Sequence, residues 1–185
     1  MQFDILEQSW LFRGLSAHQI QSLLSDIPYF TQNYEKDETI FYPLEMAGRI
    51  GVILRGKVQS YKLFPNGNQV NVTIRTVGDI IGPAAALSVQ GRYPFGVATL
   101  EHTEVLMFRR ESFLCLLRKD PRLAENALSE ISSITFMLQQ RLELLSYHGI
   151  DQKIAFYLLT QSAQSGEAVI PIPGSMTKWA LMMNV

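Results

Sequence analysis

A seam of Leu128, Ile131, Thr135, Leu138, Leu142 and Leu145 runs through residues 120–148 at alternating steps of three and four, the spacing that aligns side chains along one stripe of a helix. A second row, Ala124, Ala127, Ile131, Ile134 and Leu138, lies beside it, so the apolar face is wider than a two-helix contact needs. About 28 residues at 1.5 Å each make a rod of roughly 42 Å. Asp120 before Pro121 supplies an N-cap and a first-turn proline, and Gly149 stands where a helix stops. The pattern fits either a core helix inside one domain or a parallel dimer helix between two modules, and the character of the flanking segments favours the second.

Before the rod, residues 3–12 place Phe3, Leu6, Trp10 and Leu11 near one helical face, and Ser16 caps a second short helix, AHQIQSLLSDI. From 29 to 108 the chain turns to short runs rich in Val, Ile, Thr, Tyr and Phe, cut by glycines, which is the pattern of an antiparallel sandwich or barrel. Pro65-Asn66-Gly67-Asn68 between VQSYKLF and QVNVTIRTV predicts a hairpin. Gly56 predicts a tight connection between adjacent strands, and Gly78 and Gly82 free the backbone just before PAAAL, where a close approach is expected. ESFLCLLRKD reads as a helix leading into the rod. After Gly149 come a third helical run, IDQKIAFYLLTQSAQ, a short strand AVIPIP, and a final helix MTKWALMM capped by Ser175.

Composition adds mainly exclusions. With 16 Lys+Arg against 17 Asp+Glu in 185 residues the formal charge is −1, so any nucleic-acid contact has to come from a local patch. The single cysteine, Cys115, lies in the apolar context FLCLLR and reads as a small buried residue. Neither a secretory signal pattern nor an apolar run of about 18 residues occurs, so a cytoplasmic location with no membrane partner is expected. No His-x-His, paired helical histidines, G-x-S-x-G or phosphate-binding G-x-x-x-x-G-K is present; the chain is not expected to be an enzyme, and no metal site is expected.

The order of parts resembles the cyclic-AMP receptor protein / fumarate-nitrate regulator (CRP/FNR) family of bacterial transcription factors. GRIGVILRGKVQSYKLFPNGNQV looks like the family's strand-Gly-strand-hairpin block, VGDIIG is similar to its approach to the effector pocket, and GIDQKIAFYLL is similar to its hinge and first DNA-domain helix. The resemblance implies an α+β fold: a cyclic-nucleotide-binding-like antiparallel β roll (a double-stranded β-helix) with flanking helices, a long dimerisation helix and a partial winged helix-turn-helix. The implied divisions are an effector-sensing domain at 1–119, a dimer helix at 120–148 and a partial DNA-binding domain at 149–185. The seam residues named above would form a homodimer, Gly149 would be the hinge, and Ser175, Thr177 and Lys178 would face operator DNA in a full-length form, with RNA polymerase a further partner. Trp179, Ala180, Met183 and Val185 stand where family members carry L-A-x-x-L-x-V. The recognition helix that reads base edges would follow, so the chain as given is expected to bind operator DNA poorly.

For cyclic-nucleotide members the resemblance implies a Glu after the Gly-x-x-Gly and an Arg-Ser pair about ten residues later. The matching positions here are Pro83, Tyr93 and Pro94. Arg92 comes one residue early, which in a strand turns its side chain to the other face, so cyclic AMP is not the expected effector. One cysteine cannot build a Cys₄ iron-sulfur cluster. His18, His102 and His148 are scattered and read as solvated, so no cofactor is expected, haem being a remote option. What remains is a pocket at Gly82, Pro83, Ala84, Ala85, Arg92, Tyr93, Pro94 and Phe95, with Phe136, Gln139 and Gln140 from the rod, suited to an apolar or aromatic small molecule. The alternative is that these side chains fill a closed core. The expected function is therefore a small-molecule-responsive DNA-binding regulator; a cupin-like β-roll enzyme and a sensor that binds only protein partners are the other readings.

Overall fold

The computed structural model describes residues 3–64, 69–172 and 174–183. The chain divides into two compact units, 1–131 and 132–185. In the first, α1 (Asp4–Glu7) is followed by a 3-10 turn (Trp10–Phe12) and α2 (Ala17–Leu24). The continuous helix expected at 3–12 is broken at Ser9, whose backbone is extended. The break is where Gly78 packs: a Cβ there would sit 3.1 Å from the Gln8 carbonyl oxygen. Ser16 caps α2 as expected, its backbone N–H donating to Gln19 Oε1 at 2.9 Å while its hydroxyl accepts from the Gln19 N–H at 3.4 Å.

Eight strands follow: β1 (Tyr29–Tyr34), β2 (Thr39–Phe41), β3 (Arg49–Arg55), β4 (Val58–Leu63), β5 (Gln69–Arg75), β6 (Ile80–Ile81), β7 (Gly96–Thr99) and β8 (Thr103–Arg109). They form two four-stranded antiparallel sheets, β1-β8-β3-β6 and β2-β7-β4-β5. The first strand pairs with the last, the second with the seventh, the third with the sixth and the fourth with the fifth. The segment is thus one long antiparallel hairpin rolled up so that successive pairs fall into alternating sheets, the expected β roll. The β4–β5 pairing agrees with the hairpin read from the sequence, although its turn, 65–68, lies outside the described residues.

Gly56 does connect consecutive strands, but β3 and β4 are not neighbours in one sheet. The chain passes from one sheet to the other there, with Gly56 at φ +91° and so close to the His102 carbonyl that a Cβ would lie 2.5 Å from its oxygen. Only a residue without a side chain can turn in that space.

The core lies between the sheets and under the helices. Val105, Leu106, Met107 and Phe108 are all fully buried, so both faces of β8 are covered. α4 (Arg110–Lys119) packs on β8 and β3 through Phe113 and Leu116. Cys115 is exposed, contrary to the sequence expectation. It stands two residues from Phe113, about 200° around the helix at 3.6 residues per turn, and so faces away from the core.

α5 (Pro121–Ser146) starts in this unit. Asp120 caps it: its carboxylate accepts from the Arg122 N–H at 3.0 Å, and its carbonyl accepts from the Leu123 N–H at 3.1 Å. Leu123 and Ala127 enter the core, while Asn126 Nδ2 donates to the carbonyls of Leu11 and Arg13 at 2.9 and 3.0 Å.

The second unit holds the remainder of α5 with α6 (Ile150–Ser165) and α7 (Met176–Met183). Its small core is Leu144 and Trp179, with Ile154, Phe156 and Tyr157 against them. The strand expected at AVIPIP does not form in the described residues 168–172. Pro171 and Pro173 carry no N–H to donate, and no described strand of this unit lies alongside.

Two stability effects follow. The Arg122 side chain, hydrogen-bonded to Asp120, holds its carboxyl below the ordinary 3.8. That contribution is present above this value and fades as the pH falls through the depressed one. Asp120→Ala should destabilise the fold by about 1 kcal/mol in urea titrations at neutral pH, with the gap to wild type closing in acid. Leu44 has φ +67° although it is not glycine, held there by its N–H donating to the Tyr93 carbonyl at 2.8 Å and its carbonyl accepting from Arg92 Nη1 at 2.7 Å. Leu44→Gly should relieve about 1 kcal/mol of strain and raise the melting temperature.

Candidate effector site

Gly82 adopts φ +81° and caps α3 (Pro83–Leu87). A Cβ there would lie 3.0 Å from both the Arg49 carbonyl oxygen and the Phe41 ring, and 3.1 Å from the Tyr93 ring. The close approach expected at this glycine is therefore made by the protein's own β3 start and two aromatic rings. Tyr93 is 2% exposed. Its ring stacks on Phe41 with centroids 4.3 Å apart and planes 10° from parallel. Its hydroxyl donates to the Arg49 carbonyl at 2.6 Å and accepts from the Arg49 N–H at 3.1 Å. Burial pushes the Tyr93 hydroxyl pKa up, the hydrogen bond and charge of Arg49 opposing it.

Arg92 points out, as its one-residue offset from Tyr93 dictates, and its Nη1 donates to the Leu44 carbonyl. Ala84 and Pro94 are exposed, Pro83 is half-buried and Ala85 is buried. Phe95 is half-buried, its ring centroid 5.9 Å from Lys62 Nζ. Phe41 and Arg49 were not singled out from the sequence, yet they frame Tyr93: the Arg49 guanidinium lies 5.7 Å from the Phe41 centroid and 3.9 Å from Glu45. The available signal was weak, an aromatic and an arginine at the two ends of the YPLEMAG loop. Nearby Tyr34 has a buried hydroxyl with no partner among the described residues. Burial raises its pKa, with the Arg49 charge acting against that.

The remaining expected residues lie on α5 and beyond it. Phe136 and Gln139 are exposed, and Gln140 lines a cleft of about 310 Å³ with Leu144, Phe156 and Tyr157. All six seam residues of α5, Leu128, Ile131, Thr135, Leu138, Leu142 and Leu145, are exposed, the leucines at positions 138 and 142 by 59 and 69%. Gly149 has an ordinary extended backbone and caps α6, its N–H donating to Gln152 Oε1 at 3.3 Å. The Ser175 carbonyl accepts from the Trp179 N–H at the start of α7, and Thr177 is exposed. Lys178 is in α7, with its side chain outside the described set, and Val185 lies outside the described residues. Among the described residues no group of three His, Cys, Asp or Glu side chains could hold a metal ion, and no helix is long and apolar enough to cross a membrane.

The profile of the cyclic nucleotide-binding domain covers residues 31–120, from β1 through α4. These residues carry the cyclic nucleotide-binding domain, and the chain is similar to regulators of the CRP/FNR family. It is 26% identical over 155 residues to the cyclic AMP receptor protein of Thermus thermophilus, covering 83% of this chain and 70% of that one. It is 25% identical to a probable transcriptional regulator, flp, of Lacticaseibacillus casei, covering 79% of this chain and 66% of the relative. Among solved structures, the Thermus thermophilus catabolite activator protein shares the fold with a TM-score of 0.69 at 23% identity, over 95% of this chain and 80% of that one. The resemblance read from the motifs and the α+β roll with flanking helices both stand.

Tyr93 holds β3 in place through two main-chain hydrogen bonds. Tyr93→Phe should lower stability by about 1–3 kcal/mol, the range for leaving buried polar groups unpaired, measured by urea denaturation. Because folding raises the pKa of Tyr34 and Tyr93 above 10.0, their contribution is complete below that value and declines as the pH climbs past it. The loss with rising pH should be smaller in the Phe variant.

Proposed function

We propose that the chain is the sensing and coupling part of a homodimeric, effector-responsive transcription regulator that works in the cytoplasm. The observation that carries this reading is the exposed apolar seam of α5 in a chain similar to regulators of this family. Leucines exposed in a row on one helix face favour burial against a second copy, each contributing roughly 1.5–3 kcal/mol when fully covered. Facing seams with a repeat of three and four pack as a coiled-coil pair, here proposed to be parallel.

A small molecule in the β roll, bordered by Gly82, Pro83, Ala84, Ala85 and Tyr93, would favour one arrangement of the paired helices by its difference in affinity for the two. Gly149 then relays the change to a helix-turn-helix in which Ser175, Thr177 and Lys178 face operator DNA. RNA polymerase is a further partner of such a regulator.

The effector proposed is not cyclic AMP. Pro83 offers no carboxylate, and the place of a phosphate-pairing arginine is taken by Tyr93, with its hydroxyl engaged on Arg49. No haem or other resident cofactor is part of this reading, and no catalytic role is assigned to any residue.

Leu138→Glu puts a charge in the middle of the seam. Sedimentation should give twice the chain mass for wild type at micromolar concentration and the single-chain mass for the variant. A wild-type monomer, or an undisturbed dimer in the variant, would overturn the seam.

A further inference from the structure

Residues directly opposite one another in an antiparallel sheet share a face, and this places one cation that the sequence pattern did not single out. Arg75 stands opposite Val58, and Val58 opposite Thr99. Val58 is fully buried and Thr99 nearly so, so the row faces the space between the sheets. The adjoining row on that face is Thr73, Ser60 and Val97, the last also buried. Ile74, between Thr73 and Arg75, turns outward and is 59% exposed. The inner face at the β5 edge therefore carries a guanidinium and two hydroxyls beside two valines. Thr73 is exposed while Ser60 and Arg75 are half-buried, so this corner of the roll opens to solvent.

Four other arginines of this unit have partners. Arg49 faces Glu45, Arg92 donates to the Leu44 carbonyl, Arg110 to the Ala86 carbonyl, and Arg122 to Asp120. The Arg75 side chain has neither ion pair nor hydrogen bond among the described residues, and the Ser60 and Thr73 hydroxyls are likewise without a bond there. A guanidinium on a half-buried residue with no counter-charge is open to an anionic partner. Its planar fork is matched by a carboxylate, which it binds through two parallel hydrogen bonds.

We propose that this corner is the anion subsite of the effector, and that the β roll takes a small ionised carboxylic acid. The carboxylate pairs with the Arg75 fork, the Ser60 and Thr73 hydroxyls donate to its oxygens, and the apolar body lies toward Val58 and Val97. One cation beside an apolar wall suits a single carboxylate better than a doubly charged phosphate ester. The assignment rests on the reading of the β roll as an effector receptor.

The test uses 4-bromobenzoate and its neutral amide, 4-bromobenzamide, titrated calorimetrically into the intact chain and into Arg75→Gln and Arg75→Lys variants. Wild type should bind the acid saturably and at least tenfold more tightly than the amide. Arg75→Gln should bring the acid down to the level of the amide while leaving the amide unchanged, and Arg75→Lys, which keeps the charge but not the fork, should fall between. Since the Arg75 side chain has no ion pair or hydrogen bond among the described residues, Arg75→Gln should melt no lower than wild type; if it does not fold, the Lys variant decides by its several-fold loss. Anomalous scattering from bromine should place the probe beside Arg75. Equal affinity for acid and amide, or an Arg75→Gln variant that binds the acid as wild type does, overturns the anion subsite and leaves the receptor reading standing. Failure of both compounds to bind in the β roll overturns the two together.

Discussion

The structure depends on β8 lying between β1 and β3 with both faces covered. Four consecutive residues, Val105 to Phe108, are excluded from water, which in an antiparallel sheet requires a second sheet on one side and helices on the other. The rest follows from supplying those covers. Gly51 lets β3 approach so closely that a Cβ would lie 2.6 Å from the Val105 side chain. α4 begins at the residue after β8 and folds back over it. α5 is capped as α4 ends and is tied down by Asn126 on the N-terminal 3-10 turn. The closing strand thus fixes where the long helix starts.

The parts of the fold legible in the sequence are those written in a period. The three-four spacing of α5, the Ser16–Gln19 capping box and the hairpin between β4 and β5 depend on residues close together in the chain, so local chemistry sets them. What was not legible depends on partners far away. Gly56 announces a turn equally well within a sheet or between sheets, and only the pairing of β3 with β6 and β8 decides which. Cys115 sits in an apolar string, but the direction of the core is set by Phe113 and Leu116 finding β8. AVIPIP has a strand's composition, and its described residues find no neighbouring strand among the described residues of that unit.

The candidate site divides the same way. The glycine-led turn into α3 and the departure from the family's Glu and Arg-Ser positions were readable from the resemblance. That Tyr93 would bond to Arg49, forty-four residues earlier, was not, since the register that joins them crosses the whole roll. The orientation of Arg75 was in principle accessible: once the hairpin is placed, alternation along β5 puts it on the side of Val58. Arg92 stands beside the buried Tyr93 in the sequence, but the one-residue offset turns it outward, where it is exposed.

The outward position of Cys115 has a practical consequence. It is the sole thiol in the chain, it is exposed, and it sits on α4, directly before the long helix. A nitroxide or fluorophore attached there needs no engineered cysteine and leaves the buried side chains of α4 untouched. In an assembly of two copies, a single labelling reaction would furnish a symmetric ruler across the pair.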